Sequence, residues 1–121
     1  MGITTDIPSI DYAALRELSS LMEEAFPELL QAFITDAGKI VEGLQRALTS
    51  NDLSSASKLA HTLKGSSANI GAPRLSDLCK VLNMGEHEGE IDDFSAIVAK
   101  IDHEFEVVKG QLNQFLQEAG Q

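Results

Sequence analysis

Residues 94–117 read FSAIVAKIDHEFEVVKGQLNQFLQ, and this stretch decides the fold. Phe94, Ile97, Val98, Ile101, Phe105, Val108, Leu112, Phe115 and Leu116 recur at intervals of three and four residues. At 3.6 residues per turn that spacing puts them on one stripe of a helix and leaves the polar residues on the other side. A helix this long and apolar along one side only must lay that side against other helices. Asp92 and Asp93 mark its start, because carboxylates are favoured at the positive end of a helix dipole. The pattern fades near Glu118.

The same period extends back through the chain. Leu53, Ala56, Leu59, Ala60, Leu63, Ser67 and Ile70 form a stripe over about 53–69, closed by Gly71-Ala72-Pro73. A further segment runs from Pro73 to about Met84, with Leu75, Leu78, Cys79 and Leu82 inward, and a loop follows over Gly85–Glu90. Before them, about Glu23 to Leu48 carries Leu29, Leu30, Phe33, Ile34, Ala37, Ile40, Val41 and Leu44, with Pro27 tolerated in the first turn. A short segment opens at Asp11, a good N-cap, with Tyr12, Leu15 and Leu18 on one face. No convincing strand is present. The expectation is an all-α chain: an antiparallel four-helix bundle over residues 11–118, a short extra N-terminal helix capping one end, and a flexible N-terminal arm over residues 1–10.

Composition narrows the function. The chain has 121 residues, nineteen acidic and nine basic, for a net charge of -10. Nucleic-acid phosphates would be repelled, so no nucleic-acid partner is expected. One cysteine excludes an internal disulfide, no apolar run is long enough for a membrane span, and the N-terminus lacks a signal peptide's basic start. A cytoplasmic monomer that binds no membrane is expected.

One histidine is oddly placed. His61 falls one residue past Ala60 and two before Leu63, well off the buried stripe. Ser57 and Lys58 lie behind it on the same face, with Lys64, Gly65 and Ala68 ahead. A surface imidazole can take a phosphoryl group on a ring nitrogen, and Lys64, one turn away, could pair with the added charge. Gly65 costs about 1 kcal/mol in a helix relative to alanine, but it clears the approach of another protein, and Ala68 continues that lane. A lone helical histidine is most often a solvated surface residue, and a helical glycine often marks close packing. The three together say more than any one of them.

The stretch Ala60-His61-Thr62-Leu63-Lys64-Gly65-Ser66-Ser67-Ala68-Asn69-Ile70-Gly71-Ala72 resembles the signature of histidine phosphotransfer (HPt) domains. That pattern is a histidine, then Leu-Lys-Gly, small residues, an apolar residue and glycine. Leu75, Leu78, Cys79 and Leu82 match the family's core positions, and the resemblance covers roughly residues 25–116. It implies an up-down-up-down bundle in which His61 is the phosphoacceptor, Lys64 lies near the phosphoryl group and Gly65 gives the partner clearance. It also implies partners, namely the receiver domains of hybrid sensor kinases and response regulators. The chain departs from the family at one point. Many members carry Glu or Gln just after the leucine of the fourth helix, near the histidine ring, and here that residue is Asn83, a shorter amide whose task would be to orient the imidazole.

No phosphate-binding glycine motif is present, so the phosphoryl group must come from another protein. The chain reads as a phosphocarrier and not an enzyme. It needs no cofactor of its own, and Mg²⁺ is expected only in the partner receiver domain. Lys58 and Lys64, with Arg74 and Lys80 on the adjoining helix, should make the docking surface less acidic than the rest. Two rival readings are a phosphorylation-independent helical adaptor and the dimerisation domain of a histidine kinase. The retained His61, Lys64 and Gly65 count against the first, and four long helices in one chain against the second. His87 and His103 read as solvated residues and Cys79 as core.

Overall fold

Caps and turns set the helix boundaries. Asp11 accepts a hydrogen bond from the Ala14 N–H (3.2 Å) and opens α1, Tyr12–Met22. A 3-10 turn, Glu23–Ala25, leads into α2, Phe26–Thr49, with Pro27 in its first turn, where a missing N–H costs nothing. Asp52 opens α3, Leu53–Ile70, by accepting from the Ser55 hydroxyl (2.7 Å) and the Ser55 N–H (3.0 Å). Those bonds, aided by Lys58, hold its carboxyl below the usual carboxylate range. Gly71, at φ +87, ends α3 in a left-handed conformation. Then follow α4, Pro73–Glu88, and α5, Phe94–Ala119. The computed structural model describes residues 7–88 and 93–119, and all five helices lie within them. α4 continues to Glu88, through four residues of the loop expected over Gly85–Glu90, and the rest of that loop lies outside the described residues.

The helices form the expected antiparallel bundle. Three residues join α2 to α3 and two join α3 to α4, so consecutive helices must run in opposite directions. α2 packs on α3 and α5, α4 packs on the same two, and α1 lies across α2 and α3 at one end. Leu30, Leu44, Leu63, Leu75, Ile101 and Leu112 fill the centre and are fully buried. Gly43 permits the α2–α3 approach, since a Cβ there would stand 2.9 Å from Leu59 Cδ1. Cys79 lies in this core, where burial pushes its thiol up to about 12, and so it serves as a small apolar side chain.

The flexible arm expected over residues 1–10 needs correcting at its inner end. Residues 1–6 lie outside the described residues. Ile10 is buried, and the backbone N–H of Arg74 donates to Pro8 O (3.2 Å) while its Nε donates to Ile7 O (2.7 Å). The N–H groups at the start of α4 have no partner within their own helix, and the chain entering α1 supplies one.

Two substitutions test this packing. Gly71→Ala is expected to lower stability in denaturant melts by about 1–2 kcal/mol, because an L-residue resists the left-handed conformation. Ser67 is fully buried on α3, and its hydroxyl has no hydrogen-bond partner among the described residues. Ser67→Ala removes an unsatisfied polar atom and is expected to raise stability by roughly 1 kcal/mol, read as a Tm increase of a few degrees.

Candidate functional site

His61 lies near the middle of α3, and the structure places it at the surface, as its position off the apolar stripe requires. At about 100° per residue, the centre of the buried stripe (Ala56, Ala60, Leu63, Ser67) stands more than a right angle away from it. Among the described residues neither ring nitrogen of His61 makes a hydrogen bond. Its helical neighbours divide by small differences in direction. Gly65 and Lys58 turn about 40° and 60° away from the core side, and Ala68 points almost with the histidine. All three are exposed, and a Cβ built on Gly65 would meet nothing within 4 Å. The imidazole therefore stands on a bare face.

Ser57 and Lys64 turn the other way, about 40° and 60° toward the core, and meet α4. Lys64 is half-buried, and among the described residues its ammonium has no carboxylate partner. Ser57 is only 4% exposed. Sequence spacing grouped it with the partner-facing residues, and the structure corrects that placement: its hydroxyl faces α4, out of reach of an incoming protein.

Asn83 is corrected with it. Its amide does not bond to the imidazole. Nδ2 donates to the Ser57 hydroxyl (2.7 Å) and to the Ser57 carbonyl (3.1 Å). The amide nitrogen thus bonds twice to α3, one turn before His61. A residue not singled out from the sequence mirrors this contact on the other side. The Ser76 hydroxyl on α4 donates to the Lys64 carbonyl (2.9 Å), one turn after His61. The signal was available: Ser76 and Asn83 are seven residues apart on α4, as are Ser57 and Lys64 on α3, so each pair shares one helix face.

The basic patch is smaller than expected. Lys80 is exposed, but Arg74 points away from His61 into the α4–α5 seam, where it meets Ile7 O and pairs with the buried Glu104 (4.0 Å). His103 is exposed on α5, and the side chain of His87 lies outside the described residues. Among the described residues no cluster of three His, Cys, Asp or Glu side chains could hold a metal ion. None of the helices there is long and apolar enough to cross a membrane. On the other flank of α3, Leu18, Met22, Leu29, Phe33, Ser66 and Asn69 line a groove of about 410 Å³, and Leu21 stands 75% exposed on neighbouring α1.

Comparison with known proteins agrees with this geometry. The Hpt domain family matches residues 28–121. Histidine-containing phosphotransfer protein 2 of Arabidopsis thaliana is 36% identical over 70 residues, 52% of this chain and 45% of that protein, so the match spans less than half of that relative. The crystal structure of histidine-containing phosphotransfer protein B from Pseudomonas aeruginosa superposes with a TM-score of 0.87 at 32% identity, covering 92% of this chain and 96% of that one. A maize histidine-containing phosphotransfer protein shares the fold, with a TM-score of 0.79 at 24% identity over 90% of each chain. With the family signature present, the imidazole exposed and the bundle superposing over nearly the whole chain, the protein belongs to the Hpt domain family.

Proposed function

We propose that this protein is a cytoplasmic phosphocarrier that accepts a phosphoryl group on His61 from the aspartyl phosphate of one receiver domain and gives it to the aspartate of another. The observation that carries this reading is the exposed imidazole on a face cleared by Gly65 and Ala68. A receiver's active site must come within bonding distance of the ring, and a side chain at position 65 would stand in its way.

The transfer is a nucleophilic displacement at phosphorus. A lone pair on one ring nitrogen forms the N–P bond as the P–O bond to aspartate breaks, and the electron pair leaves with the carboxylate. The positive charge passed to the ring is relieved by loss of a proton from the other nitrogen to water. Lys64, with no carboxylate competing for it among the described residues, is placed to offset the charge of the phosphoryl oxygens. Lys58 adds to the positive field at the same face. The Mg²⁺ that neutralises the transferring group would be the receiver's. The largely apolar groove beside α3 offers contact area to a docked receiver.

Incubation with a phosphorylated receiver domain tests this reading. Wild type is expected to take an acid-labile, base-stable label and His61→Gln none. A folded wild type that stays unlabelled by several receivers would favour an adaptor that binds without phosphorylation. Gly65 separates fold from function. Gly65→Ala is expected to stabilise the helix by up to about 1 kcal/mol, because nothing opposes the added methyl. Gly65→Arg should stay folded, as judged by circular dichroism, yet lose most of the transfer from a receiver.

A further inference from the structure

We infer that Asn83 and Ser76 are positioning residues for the transfer: they hold the turn of α3 that carries the nucleophile and leave its ring unbound. The inference rests on the phosphocarrier reading and adds to it how the histidine is aimed.

Two contacts are involved. Asn83 Nδ2 reaches the Ser57 carbonyl at 3.1 Å and the Ser57 hydroxyl at 2.7 Å, while the Ser76 hydroxyl reaches the Lys64 carbonyl at 2.9 Å. Ser57 precedes His61 by four residues and Lys64 follows it by three, so the grip points lie about 6 Å before and 5 Å after the nucleophile along the axis. In an α-helix the carbonyl of Ser57 accepts the N–H of His61 itself. Asn83 thus bonds to the very group that fixes the backbone of His61. α4 grips α3 at main-chain carbonyls, which have no rotamers, so the hold fixes the position of the helix and not merely of a side chain.

Burial makes the Asn83 contact matter. Ser57 is 4% exposed, so its hydroxyl lies away from water and takes its bond from Asn83 across the α3–α4 seam. Buried polar groups that lose a partner do not regain water readily. The imidazole, by contrast, makes no hydrogen bond among the described residues. Held backbone and unheld ring suit a nucleophile that must present itself to more than one receiver: the Cα position is shared by every docked complex, while the ring turns to the phosphorus each partner presents.

The test measures three quantities on full-length protein: the rate from a phosphorylated receiver, labelling by phosphoramidate, and amide exchange over residues 57–64. Asn83→Asp keeps the size but loses both N–H donors. It is expected to lower the saturating rate from the receiver roughly ten-fold while the KM for the receiver shifts by less than about two-fold. Phosphoramidate is small and needs no docked geometry, so its rate should stay at the wild-type level. Amide exchange over residues 57–64 should rise roughly five-fold. Ser76→Ala, a milder change on the other side of His61, should act in the same direction, and Ser57→Ala, which leaves the carbonyl bond in place, should do less than Asn83→Asp. Receiver transfer at the wild-type rate in Asn83→Asp would overturn the inference alone. A parallel fall in phosphoramidate labelling would also overturn it, because Asn83 would then be acting on the ring. Wild type that takes no label from either donor would sink the phosphocarrier reading, and the positioning role with it.

Discussion

The two-residue turn between α3 and α4 is the constraint on which the rest of the molecule depends. Gly71 takes a left-handed conformation, and the chain reverses through Ala72 into Pro73. A connection this short leaves no freedom in the axial register of the two helices. It therefore dictates which residue of α4 meets which residue of α3, and brings Ser76 to Lys64 and Asn83 to Ser57. The same turn receives the N-terminal segment. The Asp11 N–H donates to Gly71 O (2.9 Å), and a Cβ on Gly71 would stand 3.4 Å from Asp11 O. One glycine thus sets helix register and anchors α1.

α3 answers two demands at once. One side buries an apolar stripe, and the other stays bare around an exposed imidazole. The chain meets both with small residues. Ala56 and Ala60 let neighbouring helices come close, while Gly65 and Ala68 keep the outer face shallow. Small residues bury little apolar area, so α3 contributes less to the core than α2 or α5 do. The long helices compensate: α2 and α5 run 24 and 26 residues and supply the large buried side chains, including Leu30, Leu44, Ile101 and Leu112. In this division of labour a locally expensive glycine at position 65 is sustained by packing elsewhere.

Much of this was legible in the sequence because helical periodicity is a strong signal over long segments. The apolar stripe of α5 matched the buried residues from Phe94 to Leu112, those of α2 and α3 matched in part, with Leu29, Ile34, Ile40, Leu53 and Leu59 only half-buried and Phe26, Ala47 and Ser57 missed, and the cap residue Asp11 sits where it was expected. What escaped depends on rotations smaller than the spacing argument resolves. Ser57 and Lys58 are adjacent and both flank His61, yet one is buried against α4 and the other faces solvent. Only the position of α4 decides between them. The direction of Arg74 escaped for a similar reason, since its partners, Ile7 and Glu104, are 67 and 30 residues away in the chain and no local pattern links them. Asn83 shows the limit most clearly. A family likeness put an amide near the ring, but a side chain one methylene shorter than glutamine ends on α3 instead.

That shortening bears on how a phosphocarrier keeps its histidine useful. An amide bonded to the imidazole would choose one ring orientation and one tautomer, and would favour whichever complex needs them. An amide bonded to the backbone chooses neither. It makes the position of the helix definite and leaves the ring orientation open. A carrier gains from this because it must react in both directions, as acceptor with one receiver and donor with another, and the two complexes share the bundle but not the detailed contacts. On the phosphocarrier reading, what would stay constant is the seat of His61 between two inter-helix hydrogen-bond contacts, and what would adapt is the ring itself. The separation would be possible because two of the three bonds are made to main-chain carbonyls and all three lie on the α4 side of α3, away from the exposed face that carries His61.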